Sequence, residues 1–447
     1  MAKIEKVKYL IIGNSAGGIG AVEAIRKVDK AGTITIISDE PHPAYSRPLI
    51  SKYLSEKCPL ERMLFRPADF YGKNNIQTVL GKKAERLDTK AHAVELDDGR
   101  KITWEKLLLA TGGLPIVPPI EGVEKSGVFT FITLDDAKAI DQFLNGVTQA
   151  VVIGGGLIGV SVTEALMKRG VKVSIVEMKE RILNTILDEE ASALEEENLK
   201  QFGVEIITGH TVAKVNSDSA KGKTVSSVTL ENGDNFTCNL VIIAIGVRPR
   251  TELTSGTGIE VNRGIIVDRH MATSHPDIYA CGDAVEAYDF IYDECRLAPI
   301  WPNAYLEGRV AGFNMAAVPT EYSGGTAMNS MNYFGLDVTS AGLVIPPDES
   351  YEILRKKDNH VYKKIILKDE QVVGMVFVSD IEKSGIVLSL MKDRVKVSSF
   401  KQELLADDFG LVSLPEEIWR PRLEVPPSVS GSSVITVEEP EEIIAGE

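Results

Sequence analysis

Gly154, Gly156 and Gly159 stand in the spacing G-x-G-x-x-G directly after the apolar run 150–153, and Val162, Ala165, Leu166 and Met167 continue the chain in a helical pattern. Each glycine does separate work. The first turns the chain tightly, the second leaves bare backbone for a pyrophosphate to approach, and the third lets helix and strand close on each other. The phosphates then meet free N–H groups and the positive end of the helix dipole, on a turn that also carries Leu157 and Ile158. Glu177 ends the next apolar run, 23 residues after Gly154. A carboxylate there accepts from a ribose 2′-hydroxyl and repels a 2′-phosphate, so this turn is expected to take NAD(H) in preference to its phosphorylated counterpart.

A second turn of the same kind lies 141 residues earlier, Gly13-Asn-Ser15-Ala-Gly-Gly18. Ser15 replaces the middle glycine, which hinders phosphate approach without preventing it, and Asp39 and Glu40 follow Gly13 at 26 and 27 residues. Alone, this turn reads either as a plain strand–helix connection or as a second nucleotide site; the copy downstream favours the site. Other chemistry is poorly provided for. The six histidines show no H-x-x-x-H pattern. Cys58, Cys238, Cys281 and Cys295 form no pair at metal, cluster or redox spacing, so no metal site is expected. Neither a G-x-x-x-x-G-K-S/T phosphate loop nor a G-x-S-x-G nucleophile turn occurs.

The elements that must hold these turns repeat with them. Apolar runs at 8–12 and 33–37 flank the first turn and its helix, and runs at 150–153 and 172–176 flank the second, giving strand–helix–strand twice. Continuous Val/Ile-rich runs suit parallel strands buried on both faces. Further runs at 107–110 and 240–245 end near Gly112 and Gly246, and Pro115, Pro118 and Pro119 mark a crossing between domains. Beyond Gly325 the pattern changes to strands at 361–367 and 371–378 around Lys368-Asp-Glu370, followed by helical stretches. The last residues, 426–447, are rich in Pro, Ser and Glu and read as a flexible acidic tail.

Length and charge bound the possibilities. A chain of 447 residues suggests about three domains. With 49 basic against 64 acidic residues and a net charge of −15, it lacks the basic footprint of a nucleic-acid or anionic-membrane binder. The longest uncharged stretch, 142–163, is broken by five glycines and is no membrane span. Four cysteines are too few for a disulfide framework, and a cytoplasmic location is expected.

Three further stretches add to the two glycine turns: Ala110-Thr111-Gly112, Ala244-Ile-Gly246-Val-Arg-Pro249, and Thr273-Ser-His-Pro-Asp-Ile-Tyr-Ala-Cys-Gly282-Asp283. With them, most of residues 1–420 resembles the pyridine nucleotide–disulfide oxidoreductase family. The resemblance implies an α/β fold of two Rossmann-like, three-layer dinucleotide-binding domains, one inserted in the other, plus a C-terminal α+β interface domain. FAD would be held by residues 1–117 and 250–325, NAD(H) by 118–249, with 326–425 as the interface domain. Gly13, Ser15, Gly18, Asp39, Glu40, Ala110, Thr111, Gly112 and Gly282 would then serve the flavin. Gly154, Gly156, Leu157, Ile158, Gly159, Glu177 and Gly246 would belong to the cofactor set around the nicotinamide. Asp283 would hold the ribityl hydroxyls, a role compatible with capping the turn that follows.

Within that family the likeness is to rubredoxin reductases and the flavin portion of assimilatory nitrite reductases, on Pro41-His-Pro-Ala-Tyr45-Ser-Arg47-Pro48-Leu-Ile-Ser51-Lys52. It implies Arg47 and Lys52 beside the flavin as the catalytic cations, where positive charge favours a reduced ring; a loop salt bridge is the other reading. Leu297-Ala-Pro299-Ile-Trp301-Pro302-Asn303-Ala precedes a helical pattern at 305–315, whose N-terminus the family sets at the flavin. Pro299 and Trp301 therefore join the flavin set, Trp301 either shielding the ring or packing as core. Two departures count. No cysteine lies in residues 1–57, so disulfide reduction is not expected, and Ser161 stands where relatives often carry a glutamate. The activity expected is an FAD-dependent NADH dehydrogenase that passes electrons to a small carrier protein such as rubredoxin. The alternatives are an NADH oxidase, or a non-turnover flavoprotein serving as an electron-transfer subunit or NADH sensor. The interface-domain likeness implies a homodimer, with the oligomeric state open.

Overall fold

The computed structural model describes residues 4–219, 222–358 and 360–423. The acidic segment 426–447 lies outside them. Residues up to Lys396 form one compact unit and those from Val397 onward a second, whose described part holds short 3-10 turns and the helix Glu416–Leu423.

The first sheet is built on the strand Ile4–Ile12. Ile34–Ser38 and then Ile76–Leu80 lie to one side of it and Lys101–Leu109 to the other, all parallel. Leu10, Ile11, Ile36, Ile37, Leu107, Leu108 and Leu109 are fully buried, as strands covered on both faces require. The second sheet repeats the plan: Glu205–Thr208, Lys172–Glu177, Gln149–Ile153, Leu240–Ile243 and Val128–Thr130, again all parallel. One sheet is inserted into the chain of the other. Gly113–Pro115 leads out and Val247–Pro249 leads back, the two paired antiparallel. Ile278–Ala280 then joins the carboxyl end of Lys101–Leu109 and completes the first sheet.

A third sheet, antiparallel, runs in the order Met328–Tyr333, Leu336–Gly342, Gln371–Val378, Val361–Lys368, Glu352–Asp358. The expected turn between its two long strands is present, with Asp369 and Glu370 at φ 48° and 66°. This sheet is tied to the second one by a buried network. Asp188 caps the helix Glu189–Gln201, and its Oδ2 accepts from Lys364 Nζ at 2.7 Å and from the Tyr362 hydroxyl at 2.6 Å. Among the described residues no helix is long and apolar enough to cross a membrane.

The helix expected at 305–315 begins earlier, as Trp301–Met315, with Pro302 in its first turn, where a missing N–H costs nothing. It packs on the helix Ala16–Val28 through glycines. A Cβ at Gly308 would lie 2.0 Å from the Gly17 carbonyl oxygen, one at Gly312 2.4 Å from that of Ala21, and one at Gly20 2.4 Å from that of Tyr305. The two backbones are therefore in contact. Gly308→Ala is expected to force them apart and to lower stability by roughly 1–3 kcal/mol. Urea unfolding measures this, and an unchanged midpoint would contradict the contact.

Candidate functional site

The carboxyl ends of the first sheet open into a cavity of about 710 Å³, in the size range of cofactor sites. Three parts of the fold close it. Gly13 to Gly17, Ser38 to Glu40, Ala110 to Gly113 and Cys281 to Asp283 line the sheet end; Pro299 to Pro302 and Ala304 come from the helix Trp301–Met315 and the residues before it. Leu157, Ile158 and Ser161 come from the helix Leu157–Lys168, and Met328 to Met331 with Tyr333 from the third sheet.

The two glycine turns are built alike at their first and last glycines. Gly13 has φ +122° and a Cβ there would lie 2.0 Å from the Ala110 carbonyl oxygen; Gly154 has φ +106° and its Cβ would lie 2.5 Å from that of Ala244. Only glycine fits either place. Gly18 and Gly159 serve packing, since a Cβ on them would strike the Gly13 and Gly154 oxygens at 2.1 and 1.9 Å. Around Gly156 a Cβ would meet nothing within 4 Å, so the backbone there stands clear for a phosphate. Ser15 occupies the matching place in the first turn and lines the cavity. Gly112, at φ +71°, is equally open.

Two cations and two carboxylates face each other along one wall. Arg47 bonds to Glu40 and to the Ile132 carbonyl oxygen at 3.2 Å, while the Tyr45 hydroxyl donates to the other Glu40 oxygen at 2.6 Å. Burial works against the guanidinium charge, but Tyr45 and Glu40 outweigh it and hold Arg47 protonated. Arg250 Nη1 meets Asp39 at 2.6 Å, and the Thr111 hydroxyl fixes the Arg250 carbonyl at 2.7 Å. Asp283 lines the floor; burial raises its carboxyl and Arg47 opposes the rise. Lys52 is placed differently from Arg47. It is exposed on the short helix Ile50–Leu54 and does not line the cavity, although Ser51 does. One residue along a helix turns the side chain by about 100°, which carries Lys52 outward.

Gly154, Gly156, Gly159, Gly246 and Glu177 lie outside the cavity wall, on the far side of the helix start that Leu157 and Ile158 bring to it. Glu177 is buried, and its two oxygens accept from the Gly155 and Lys179 amides at 2.7 and 2.8 Å. It thus braces the glycine turn, with spare lone pairs for a sugar hydroxyl. Trp301 both lines the cavity and packs edge-on against Phe65, ring centres 5.1 Å apart. Cys281 also lines it, but its thiol is driven well up by burial, with Glu307 and Asp283 adding to the rise, and is no nucleophile.

Sequence reasoning missed Arg250, Tyr333 and Glu307. Arg250 directly follows the 244–249 motif and could have been taken with it. Tyr333 arrives from 174 residues beyond the last glycine of the second turn, and no local signal marks it. Its hydroxyl donates to the Leu157 carbonyl at 3.2 Å; burial raises its pKa, Glu195 adds to the rise and Ser161 pulls it down. Asn198 Nδ2 holds the Tyr333 carbonyl at 3.1 Å. Bare glycine backbone, a carboxylate in the wall and a cavity bordered by the two helix starts fit a flavin dinucleotide meeting a nicotinamide.

Comparison with known proteins gives the same picture. Residues 7–308 match the family model of pyridine nucleotide-disulphide oxidoreductases, and 328–395 that of the rubredoxin NAD+ reductase C-terminal domain. The chain is 32% identical over 422 residues to the NADH-dependent phenylglyoxylate dehydrogenase subunit epsilon of Aromatoleum evansii, covering 93% of this chain and 99% of that one. To the NADH-rubredoxin oxidoreductase of Clostridium acetobutylicum it is 28% identical over 378 residues, 85% of this chain and 92% of the other. The putidaredoxin reductase–putidaredoxin covalent complex superposes with a TM-score of 0.82 at 27% identity, over 94% of this chain and 99% of that one. Of some longer relatives this chain spans only about half, 47 to 51%. A match over residues 7–308, with near end-to-end likeness to a relative at 32% identity, places the chain in the pyridine nucleotide-disulphide oxidoreductase family.

Proposed function

We propose that this protein is an FAD-dependent NADH dehydrogenase that hands electrons to a small redox protein of the rubredoxin or ferredoxin kind. One observation carries the proposal: the first dinucleotide turn, and the helix that follows a second turn of matching glycine geometry, border one cavity whose single thiol, Cys281, is held protonated. Residues 1–117 with 250–325 hold the flavin and 118–249 the nicotinamide. All four cysteines are free, which suits the reducing cytoplasm.

The flavin, when bound, supplies acceptance of two electrons from NADH and their release one at a time. The remaining work belongs to the chain. Gly156 and the start of the helix Leu157–Lys168 bind the nicotinamide pyrophosphate, and Glu177 takes the ribose. Ser161 and Tyr333 bound the space where the nicotinamide ring can lie, which fixes its approach. Arg47 sets positive potential along the wall, Asp283 anchors the sugar chain, and Trp301 with Phe65 keeps water from one side.

A second reading has its own support. The relative aligned over 99% of its length is named as a subunit, and in longer relatives the matched region is about half of the protein. On that reading the chain is the NADH-reactive, electron-transferring part of a larger enzyme. Anaerobic NADH titration followed by added rubredoxin tests the main proposal. Bleaching and then acceptor reduction under argon are expected, with slower NADH loss in air. Flavin that stays yellow under excess NADH would sink it, and bleaching without acceptor reduction by the isolated chain would favour the subunit reading.

Two further outcomes follow from the site. The Glu177 carboxylate should repel a 2′-phosphate, so kcat/KM for NADH is expected to exceed that for NADPH by about a hundredfold; equal values would count against its placement. Arg47→Ala should release FAD, raising its Kd by about tenfold or more because a charged hydrogen-bond partner is lost. Lys52→Ala, outside the cavity wall, should retain FAD as the wild type does. Flavin retained after gel filtration reads both.

A further inference from the structure

Glu307 has no part in the scheme above. It lies in the second turn of the helix Trp301–Met315, 3% exposed, while Trp301, Pro302 and Ala304 of the same helix line the cavity. Its Oε2 accepts the Gly282 N–H at 2.8 Å. Gly282 has φ +77° and opens the turn Gly282–Ala284, so this bond fixes the turn from which Asp283 reaches the cavity. A glutamine oxygen could accept the same hydrogen bond. What the acid adds is the capacity to hold a proton.

The groups around Glu307 leave it little choice. Asp283 faces it from the turn, the Cys281 thiol from the end of the strand Ile278–Ala280, and the Tyr322 hydroxyl from the loop after the helix. The helix Ala16–Val28 packs on the helix that carries Glu307 through Gly17, Gly20 and Ala21, and its Glu23 is paired with Arg66 and the Tyr305 hydroxyl. The cation of this wall, Arg47, faces Asp283 rather than Glu307 and is shared with Glu40. Two buried carboxyls beside one shared cation cannot both ionise cheaply. Burial raises Glu307 to about 7, with the Asp283 charge adding to the rise and the Gly282 N–H and Tyr322 hydroxyl pulling against it. Asp283, opposed by Arg47, is the better placed of the two to stay ionised.

We propose that Glu307 is a positioning residue for the flavin that works in its protonated form, so that the apoprotein takes up a proton when it binds FAD. The cavity must accept the anionic pyrophosphate of FAD, and a second buried negative charge beneath it would oppose that. The proposal rests on the flavin reading of this cavity.

The sign is fixed by the protonated form being the binding one. FAD affinity should be level below pH 7 and fall above it. Apoprotein titrated with FAD, followed by quenching of flavin fluorescence, is expected to bind about tenfold more weakly at pH 8.5 than at pH 6. Glu307→Gln, which keeps the Gly282 hydrogen bond, should bind equally at both pH values. Glu195→Gln should keep the wild-type slope; Glu195 is a second buried glutamate, raised by burial to about 8, and it does not line the cavity. Calorimetry in two buffers of different ionisation enthalpy should find proton uptake by the wild type at pH 7.5 and none by Glu307→Gln. Should that variant fail to fold, the wild-type heats decide alone. Tight binding by the wild type without pH dependence or proton uptake overturns the proposal and leaves the flavin reading standing, as does a Glu307→Gln protein with the wild-type slope. Absence of FAD binding at any pH overturns both.

Discussion

No side chain fits where the strand Ile4–Ile12 turns into its helix, because the Ala110 carbonyl oxygen already occupies the place of a Cβ on Gly13. That contact forces a glycine, and the glycine's left-handed backbone turns the chain so that the helix N-terminus points at the space above the sheet. Everything the cavity does depends on it. The same constraint recurs at Gly154 against Ala244, and the third glycine of each turn closes its helix on the first by the same route. The first copy thus lines the cavity itself, and the second sends the start of its helix, Leu157, Ile158 and Ser161, to the same cavity. The antiparallel ribbon of Gly113–Pro115 and Val247–Pro249 is what carries the chain from one copy to the other and back.

Close backbone contact extends to the helices. Gly17 and Gly308 touch, so the helix that starts at Trp301 is held against the helix that starts after Ser15. This is why a wall from residue 301 and a phosphate-facing turn from residue 15 border one space. The arrangement also concentrates acids. Glu40 and Asp283 share Arg47, and Glu307 lies beside Asp283, so three acids draw on one cation and leave a deficit of positive charge. An anionic cofactor enters such a site only if part of that acid is neutralised, which gives protonation of a buried glutamate a function beyond packing.

Residues whose role is set by backbone geometry were the legible ones. Glycine spacing, apolar runs and the 141-residue repeat led directly to the two parallel sheets, because each reflects a local rule of sterics or burial. The side chains that share the cavity were read less well. Lys52 and Ser51 are neighbours in a motif, and only the phase of a five-residue helix decides which faces inward. Tyr333 belongs to a different sheet, and its approach depends on tertiary docking that no period encodes. Glu307 did leave a trace: it stands among Ala304, Gly308 and Ala311, small residues on one helical face that are all buried. An acid on such a face must be neutral, paired or hydrogen-bonded.

The third sheet does more than cover the molecule. Its Tyr333 reaches the start of the helix Leu157–Lys168, and its Lys364 meets the Asp188 cap of the next helix in the second fold. Asp188 is held down by its bonds to Lys364 and Tyr362 against the opposing effect of burial, so it stays charged at neutral pH and the tie holds there. Below the ordinary carboxylate range Asp188 gains its proton and the tie weakens, since a group with a depressed native pKa lends stability only while ionised. The side of the cavity lined by Met331 and Tyr333 is therefore closed by an element fastened through this buried ion pair together with hydrogen bonds at Tyr333 and a shared apolar core. Loss of that pair would weaken this side of the cavity alone, because the side bounded by Gly13, Asp283 and Trp301 is built on its own sheet and helix.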